Sequence, residues 1–181
     1  MPRCLYHDEM QHPWPEQASS SHIRPEFRAA PANVVVESAR LRDLAALARL
    51  QRRAFPPRLA YTLPTLALLW ALPWVRLLVA RRGEKIVGCV IGDWALDGGR
   101  VINLAVDPDA RRQGVGTTLL HAIERALGAG DMSLMVQIEN SAARALYRGA
   151  GYVEEAEAPN YYGPGRPGIR MRKTRVMGDG T

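Results

Sequence analysis

The chain has 181 residues, a formal net charge of +6 and a hydrophobic content of 47%. That length is enough for one well-buried domain and short for two. The cysteines, Cys4 and Cys89, lie far apart without a C-x-x-C pair, which argues against a disulfide framework and predicts no metal site. The positive charge favours an anionic ligand or partner, which could be a phosphorylated cofactor, a nucleic acid or a ribosomal surface.

Residues 1–32 predict a flexible N-terminal extension that carries no chemistry. They contain five prolines and a run of three serines, and they lack the apolar stretch of a secretory signal. Two unpaired thiols suit a reducing compartment, so we expect a cytoplasmic protein. The folded domain is expected at 33–176, followed by a C-terminal tail at 177–181.

The segment 59–75 approaches a membrane span in length, because none of its seventeen residues is charged. However, Pro64 and Pro73 interrupt the segment, and three hydroxyl-bearing residues dilute it. We therefore predict a short helix at 65–72 followed by a strand at 75–80, and no stable membrane insertion.

Hydrophobic periodicity and turn residues divide the rest of the domain into strands and helices. Ser38 is the expected N-cap of the first helix. In chain order, the predicted elements are a strand at 34–36, helices at 41–54 and 65–72, strands at 75–80, 86–93 and 100–106, a helix at 115–127, a strand at 132–138, a helix at 141–148, and strands at 152–157 and 169–175. This order predicts a single α/β domain with a mixed, mostly antiparallel sheet of about seven strands and helices on both faces.

The most informative segment is 101–117, where a strand leads into a basic, glycine-containing turn and then directly into a helix. Backbone N–H groups in the first turn of a helix have no partner within it, and the helix dipole is positive there. Gly114 and Gly116 let a bulky anion approach the main chain, while Arg111 and Arg112 add positive charge. The segment therefore predicts a cradle for a pyrophosphate group.

Two common phosphate-binding motifs do not match this turn. The P-loop pattern needs a Gly-Lys-[Ser/Thr] ending, and the dinucleotide pattern fails because Leu119 stands where its third glycine is required. The combination of Leu-Ala-Val-Asp-Pro at 104–108 with Arg-x-x-Gly-x-Gly at 111–116 resembles the acetyl-CoA signature of the GNAT superfamily of N-acetyltransferases.

This resemblance implies the GNAT fold and acetyl-CoA as the cofactor. Main-chain groups of Leu104, Ala105 and Val106 would line the pantetheine arm and hold the thioester carbonyl. The pyrophosphate would lie over the turn and the start of the helix, which comprise Arg111, Arg112, Gln113, Gly114, Val115, Gly116 and Thr117.

A second motif follows at 134–152, where a strand is succeeded by Asn140, small residues, Leu-Tyr and a Gly-aromatic pair. Asn140 is a suitable N-cap for the short helix. The resemblance adds a hydrogen bond from its side chain to the cofactor arm, and one residue could do both. Tyr147 is the predicted catalytic residue, because a phenol within reach of the sulfur can protonate the departing CoA thiolate. The alternative is that Tyr147 only packs at the helix end.

Within the superfamily, the chain resembles the ribosomal-protein alanine N-acetyltransferases (RimI type) in both motifs and in the pair Tyr161-Tyr162. The resemblance implies that the loop with these tyrosines contacts the N-terminus of a substrate, although tyrosines in such a loop could equally be packing. The bacterial enzymes place a glutamate general base where this chain has Met135. Deprotonation would therefore run through water held near Asn103 or through a carboxylate such as Asp93.

The function implied by the resemblance is transfer of an acetyl group from acetyl-CoA directly to a primary amine. The expected acceptor is a protein N-terminal α-amine, with a ribosomal surface as a further candidate partner and no DNA. Two alternatives stay open. One is acetylation of a small amine such as a polyamine, amino sugar or drug, and the other is a non-catalytic acyl-CoA-binding module.

Overall fold

The described part of the chain forms seven strands and four helices in the predicted order. The computed structural model describes residues 33–96, 98–128 and 130–174, so the predicted extension at 1–32 and tail at 177–181 lie outside the described residues. The strands are β1 (Val35–Ser38), β2 (Val75–Arg82), β3 (Lys85–Ala95), β4 (Gly98–Val106), β5 (Met132–Gln137), β6 (Val153–Ala158) and β7 (Gly168–Lys173). The helices are α1 (Leu44–Ala54), α2 (Leu63–Ala71), α3 (Val115–Leu127) and α4 (Ser141–Gly149).

The strands build one sheet in the order β1-β2-β3-β4-β5-β7-β6. Only β4 and β5 pair in parallel, and α3 provides the crossover that parallel neighbours require. The other neighbours are antiparallel, as the short turns near Gly83 and Gly98 predict. The mixed, mostly antiparallel sheet of the predicted fold is therefore confirmed.

The helices cover both faces of the sheet, each over its own hydrophobic cluster. On one face, called the α3–α4 face, Leu119 and Ile123 of α3 and Tyr147 of α4 pack against the strands. On the opposite α1–α2 face, Leu47 of α1 and Leu66 of α2 are fully buried. The two clusters hold the central strands in place and leave a cleft where β4 and β5 separate.

A β-bulge at Ile102 lies where β4 stops pairing with β5. Val101 and Asn103 are opposite consecutive residues of β3, so Ile102 has no partner there. The parallel pairing of β4 with β5 ends at Val101, immediately before the bulge. Because of the extra residue, Ile102 packs on the α1–α2 face and Asn103 hydrogen-bonds to α1 on that same face.

The start of α1 differs from the sequence-based expectation, because Ser38 is the last residue of β1 and not an N-cap. The chain enters α1 through a 3₁₀ turn at Leu41–Asp43. The buried Asp43 accepts a hydrogen bond from the Arg40 N–H at 2.9 Å and forms a salt bridge of 2.7 Å with Arg81 of β2. The second contact comes from a distant strand, so sequence spacing does not reveal it.

The apolar segment 59–75 forms a loop, α2 and the first residue of β2, as predicted. The helix has nine residues, with Pro64 in its first turn. Among the residues that the structure describes, no helix has the length and apolar character needed to cross a bilayer.

Candidate active site

The separation of β4 from β5 opens a cavity of about 940 Å³. β4 and the first turn of α3 form one wall, and β5 and α4 form the other. The loop between α1 and α2 and one residue of the β6–β7 loop also line it. The predicted site residues along the cavity are Leu104, Ala105, Val106, Arg111, Arg112, Gly114, Gly116, Thr117, Asn140, Tyr147 and Tyr162.

The start of α3 provides backbone donors toward this cavity. The first hydrogen bond of the helix runs from the Thr118 N–H to the Gly114 carbonyl at 3.0 Å, so the amides of residues 115–117 have no partner within the helix. Gly114 has a φ of 81°, a left-handed conformation that suits glycine. A Cβ added to Gly116 would lie 3.3 Å from Leu146 of α4, so a larger side chain would narrow the cleft. Free amides beside a glycine cleft fit a pyrophosphate.

Three arginines line the cavity. Arg111 donates hydrogen bonds to the carbonyls of Val106, at 3.4 Å, and Ala54, at 3.2 Å, and so joins the end of β4 to the end of α1. Arg112 has a positive φ of 62° in the turn, and Arg58 lies in the exposed loop after α1. Their charges suit a ligand that carries several negative groups.

Three predicted site residues are not part of the cavity lining. The Gln113 side chain accepts a hydrogen bond from Arg82 at 2.7 Å, and the Val115 side chain is buried in the α3–α4 cluster. Tyr161 is 57% exposed and contacts the Tyr162 ring edge-on, with 4.9 Å between the ring centroids. Gln113 and Val115 can therefore contribute to an anion site only through their backbone.

The main-chain groups of alternate residues in β4 face the gap between β4 and β5. The Ala105 carbonyl is directed to β3, because it lies 3.1 Å from the position that a Cβ on Gly88 would occupy. Main-chain groups alternate sides along a strand, so those of Leu104 and Val106 are directed to the side of β5. The alternation favours Leu104 and Val106 over Ala105 for main-chain hydrogen bonds to a ligand in the gap.

Helix α4 places Asn140 and Tyr147 on the opposite wall. The Asn140 side chain accepts a hydrogen bond from the Ala143 N–H at 3.1 Å, which makes it the predicted N-cap. Tyr147 is largely buried, and this burial raises its pKa to about 12. At neutral pH the phenol is therefore protonated and can act as a hydrogen-bond donor.

Aromatic and apolar side chains line the cavity from the α1–α2 face. Tyr61 comes from the loop between α1 and α2, and Tyr162 donates a hydrogen bond to the Met135 carbonyl at 2.9 Å. Burial raises the pKa of both tyrosines, so both are neutral at pH 7. Leu134 and Val136 belong to the α3–α4 cluster, so the strand alternation places the Met135 side chain on the opposite, α1–α2 face.

Within the described residues, no carboxylate lines the cavity. Asp93, one of the candidate bases, accepts two hydrogen bonds from Arg100 at 3.0 and 2.6 Å and lies outside the lining. Glu139, next to the cap of α4, also lies outside it. Apart from the three arginines, the titratable groups that line the cavity are tyrosines with raised pKa values.

The sequence predicted Asn103 only as a holder of water and did not reveal that this half-buried residue pairs with the buried amide of Gln51. Gln51 of α1 is fully buried and donates a hydrogen bond to the Asn103 side-chain oxygen at 2.8 Å. Its own side-chain oxygen accepts from the Tyr61 N–H at 3.4 Å. Gln51 lies on the apolar stripe of α1, one turn after Leu47, and a glutamine in that position was the available signal.

Comparisons with known proteins identify the family of this site. The model of the acetyltransferase (GNAT) domain matches residues 73–154, which include β4, α3, β5 and α4. An IAA acetyltransferase of Azospirillum brasilense is 36% identical over 110 residues, covering 57% of this chain and 70% of the relative. The chain therefore belongs to the GNAT family of acetyltransferases and is an acyltransferase, as predicted. Acetyl-CoA, the predicted cofactor, is the cosubstrate in this family.

Two further comparisons concern one subgroup. The ribosomal protein bS18-alanine N-acetyltransferase of Escherichia coli K12 is 40% identical over 81 residues, which cover 43% of this chain and 55% of that enzyme. The crystal structure of the ribosomal-protein-S18-alanine N-acetyltransferase from Escherichia coli superposes with a TM-score of 0.70 at 28% identity, covering 82% of this chain and 98% of that one. The predicted resemblance to this subgroup is confirmed. In sequence, the match spans about half of the relative's length.

Proposed function

We propose that the chain transfers an acetyl group from acetyl-CoA to the α-amine of a protein N-terminus. The observation that carries the proposal is the lack of a carboxylate in the cavity lining of the described residues. The two Escherichia coli comparisons, with an enzyme named for acetylating a ribosomal-protein alanine, support the same class of acceptor. A ribosomal protein is accordingly a candidate substrate, and the cytoplasm is the expected location.

The cavity lining favours an α-amine because it offers no group that would remove a proton from the acceptor near pH 7. Only the neutral amine can attack a thioester. A peptide α-amine has a pKa of about 7.7–8.0 and a lysine-type amine about 10.4, so the neutral fraction at pH 7 is roughly 300-fold higher for the α-amine. A polyamine would also require carboxylates for its remaining positive charges. The same cavity therefore disfavours small polycationic acceptors.

Residues on both walls of the cavity would bind and orient acetyl-CoA. Acetyl-CoA, when bound, supplies the acetyl group as an activated thioester. The amides of residues 115–117, together with Arg111 and Arg112, would bind its pyrophosphate. Main-chain groups of Leu104 and Val106 would orient the pantetheine arm along β4, and the Asn140 side chain would contribute from α4.

Tyr147 is the proposed catalytic residue. Burial raises its pKa to about 12, so its hydroxyl keeps a proton throughout the working pH range. Because the proton stays at Oη, Tyr147 can stabilise a leaving thiolate by a hydrogen bond and return to the same state after each turnover. Tyr61 and Tyr162 would surround the acceptor's first residue on the α1–α2 face, and the exposed Tyr161 would contact residues further along the peptide.

A radiometric or mass-spectrometric assay with acetyl-CoA tests the proposal. The purified protein is incubated with peptides that have free N-termini, with the same peptides blocked at the N-terminus but carrying lysine, and with a polyamine panel. We expect acetylation of the free α-amine only. Preferential acetylation of the polyamines would support the small-amine alternative. Calorimetric binding of acetyl-CoA without turnover of any acceptor would support the non-catalytic module.

A further inference from the structure

A chain of three hydrogen-bonding groups leads from the loop after α1 to the cavity wall. It starts at the backbone N–H of Tyr61, passes through the buried side chain of Gln51 and ends at Asn103 on β4. Asn103 lines the cavity, and Gln51 lies behind it. In the described part of the chain, Gln51 is the hydrogen-bond partner of the Asn103 side chain.

The backbone N–H of Tyr61 determines which groups donate and which accept in this series of hydrogen bonds. A backbone N–H can only donate, so the side-chain oxygen of Gln51 must be the group that faces Tyr61. The NH₂ group of Gln51 then faces Asn103, and it also contacts the sulfur of Cys89 at 3.5 Å. Since an NH₂ group can only donate, the side-chain oxygen of Asn103 is its acceptor. The Asn103 side chain is left with its NH₂ group as the free hydrogen-bonding end.

We infer that Asn103 is a fixed donor for the carbonyl oxygen of the acceptor's first residue. This inference rests on the proposed function, because a peptide α-amine has a carbonyl two bonds from its nitrogen and a polyamine has none. The bulge at Ile102 places Asn103 on the α1–α2 face, opposite to Tyr147 on the α3–α4 face. The acceptor would be held from one face while the proposed catalytic proton lies on the other.

The same geometry makes Gln51 a positioning residue. Without it, the Asn103 amide could turn by 180° and present its oxygen to the acceptor carbonyl, which would be repulsive. Gln51 is fully buried and held at both ends of its amide, so it favours one orientation of Asn103. It also couples the Tyr61 loop to β4, so two walls of the acceptor site share one buried side chain.

The test is a two-by-two comparison of enzyme and acceptor. The enzymes are the wild type and Asn103→Leu. The acceptors are a tetrapeptide with a free N-terminus and its analogue in which the first peptide bond is replaced by a trans carbon–carbon double bond, which removes the carbonyl and adds no basic nitrogen. The analogue has a more basic amine, but this difference cancels when the ratio of mutant to wild-type kcat/KM is taken separately for each acceptor at one pH. We expect Asn103→Leu to lower kcat/KM about tenfold for the peptide and less than threefold for the analogue.

The outcomes separate the inference from the proposed function. An equal loss for both acceptors would overturn the donor role, because it would mean that Asn103 supports the fold or the chemistry in general. An unchanged peptide rate would overturn it too. A wild-type enzyme that acetylates the analogue but not the peptide would refute the N-terminal acceptor itself, and with it the basis of the inference.

Gln51→Met supplies a second variant and a readout that a purely structural role would not move. The substitution keeps the side-chain length in the buried site and removes the hydrogen bonds of Gln51 to Asn103, Tyr61 and Cys89. We expect it to lower the ratio of peptide to analogue kcat/KM about fivefold, whereas a general loss of stability would lower kcat/KM for both acceptors alike and leave that ratio unchanged. Titration calorimetry of the unreacted peptide onto the protein with coenzyme A present should show a matching loss of affinity for both variants. A preserved ratio in Gln51→Met together with preserved peptide affinity would rule out the positioning role.

Discussion

Replacing Met135 by glutamate should accelerate acetyl transfer, because it adds a proton acceptor to the cavity. In the wild type, the cavity lining contains no carboxylate, so kcat/KM for a peptide acceptor should follow the neutral fraction of the α-amine. With an amine pKa of about 7.7–8.0, that fraction is about 1–2% at pH 6, so the rate there should be roughly 70-fold below its plateau. Burial raises the pKa of Tyr147 to about 12, so no falling limb is expected below pH 10.

Met135 is the position where a new carboxylate would meet the acceptor. Its side chain lies on the α1–α2 face, and its Cε is 3.0 Å from the position of a Cβ on Gly168. Glutamate has a similar length, so it should fit without repacking. A carboxylate there, with a pKa near 4.3 or somewhat higher in this partly buried site, would accept the proton that the attacking nitrogen loses as the amide bond forms. Because this carboxylate is ionised at pH 6 and at pH 9, we expect kcat/KM to rise at least about tenfold at both pH values.

The assay is the initial rate of coenzyme A release at subsaturating peptide, measured from pH 5.5 to pH 9.5 at constant ionic strength. Met135→Gln is the matched control, because it has the same shape as glutamate without the titratable group. The reasoning is refuted if the wild-type profile is already flat down to pH 6, since an unrecognised base would then act in the native site. An equal gain in Met135→Gln would attribute the effect to polarity and not to proton transfer.

Three further predictions concern the two walls of the cavity. Tyr147→Phe should lower kcat at least about tenfold while the calorimetric Kd for acetyl-CoA changes less than threefold, and an unchanged kcat would remove Tyr147 as the proposed donor. Gly116→Val should weaken acetyl-CoA binding at least about tenfold by calorimetry, because its Cβ would already lie 3.3 Å from Leu146. Gly114→Ala should lower the free energy of unfolding by about 1 kcal/mol in urea titrations, since φ is 81° there, and a stabilised variant would contradict that conformation.

The charges of the cavity lining support the proposed discrimination against cationic small-molecule acceptors. Arg58, Arg111 and Arg112 are its charged side chains within the described residues, and all three are positive. A cationic amino sugar or polyamine would meet this charge without an opposing carboxylate, whereas coenzyme A would benefit from it. Part of the excess positive charge of the chain, which is +6 in total, therefore lies at the cavity where an anionic cosubstrate would bind.

Much of the fold could be predicted because its signals are local. The helix predicted at 115–127 has those bounds in the structure, since Gly114 and Gly128 mark its two ends and apolar residues recur along one face. The turn before it was predicted to bind a pyrophosphate because phosphate binding at a helix start needs only consecutive backbone amides and glycines. Asn140 could be assigned as a cap for the same reason, as its partner Ala143 is three residues away. Such contacts are determined by a few neighbouring residues.

The construction of the cavity walls could not be predicted from the sequence, because it depends on contacts between distant residues. The bulge at Ile102 depends on the register of β4 against β3, and the gap depends on where β4 stops pairing with β5. The link between Gln51 and Asn103 spans 52 positions of the chain, and the start of α1 depends on a salt bridge from Asp43 to Arg81. The elements and the family could be predicted because they rest on periodicity and contiguous motifs, and the same motifs are the basis of the proposed anion cradle. The orientation of the proposed acceptor site could be inferred only from the folded sheet, because it rests on contacts between residues that only folding brings together.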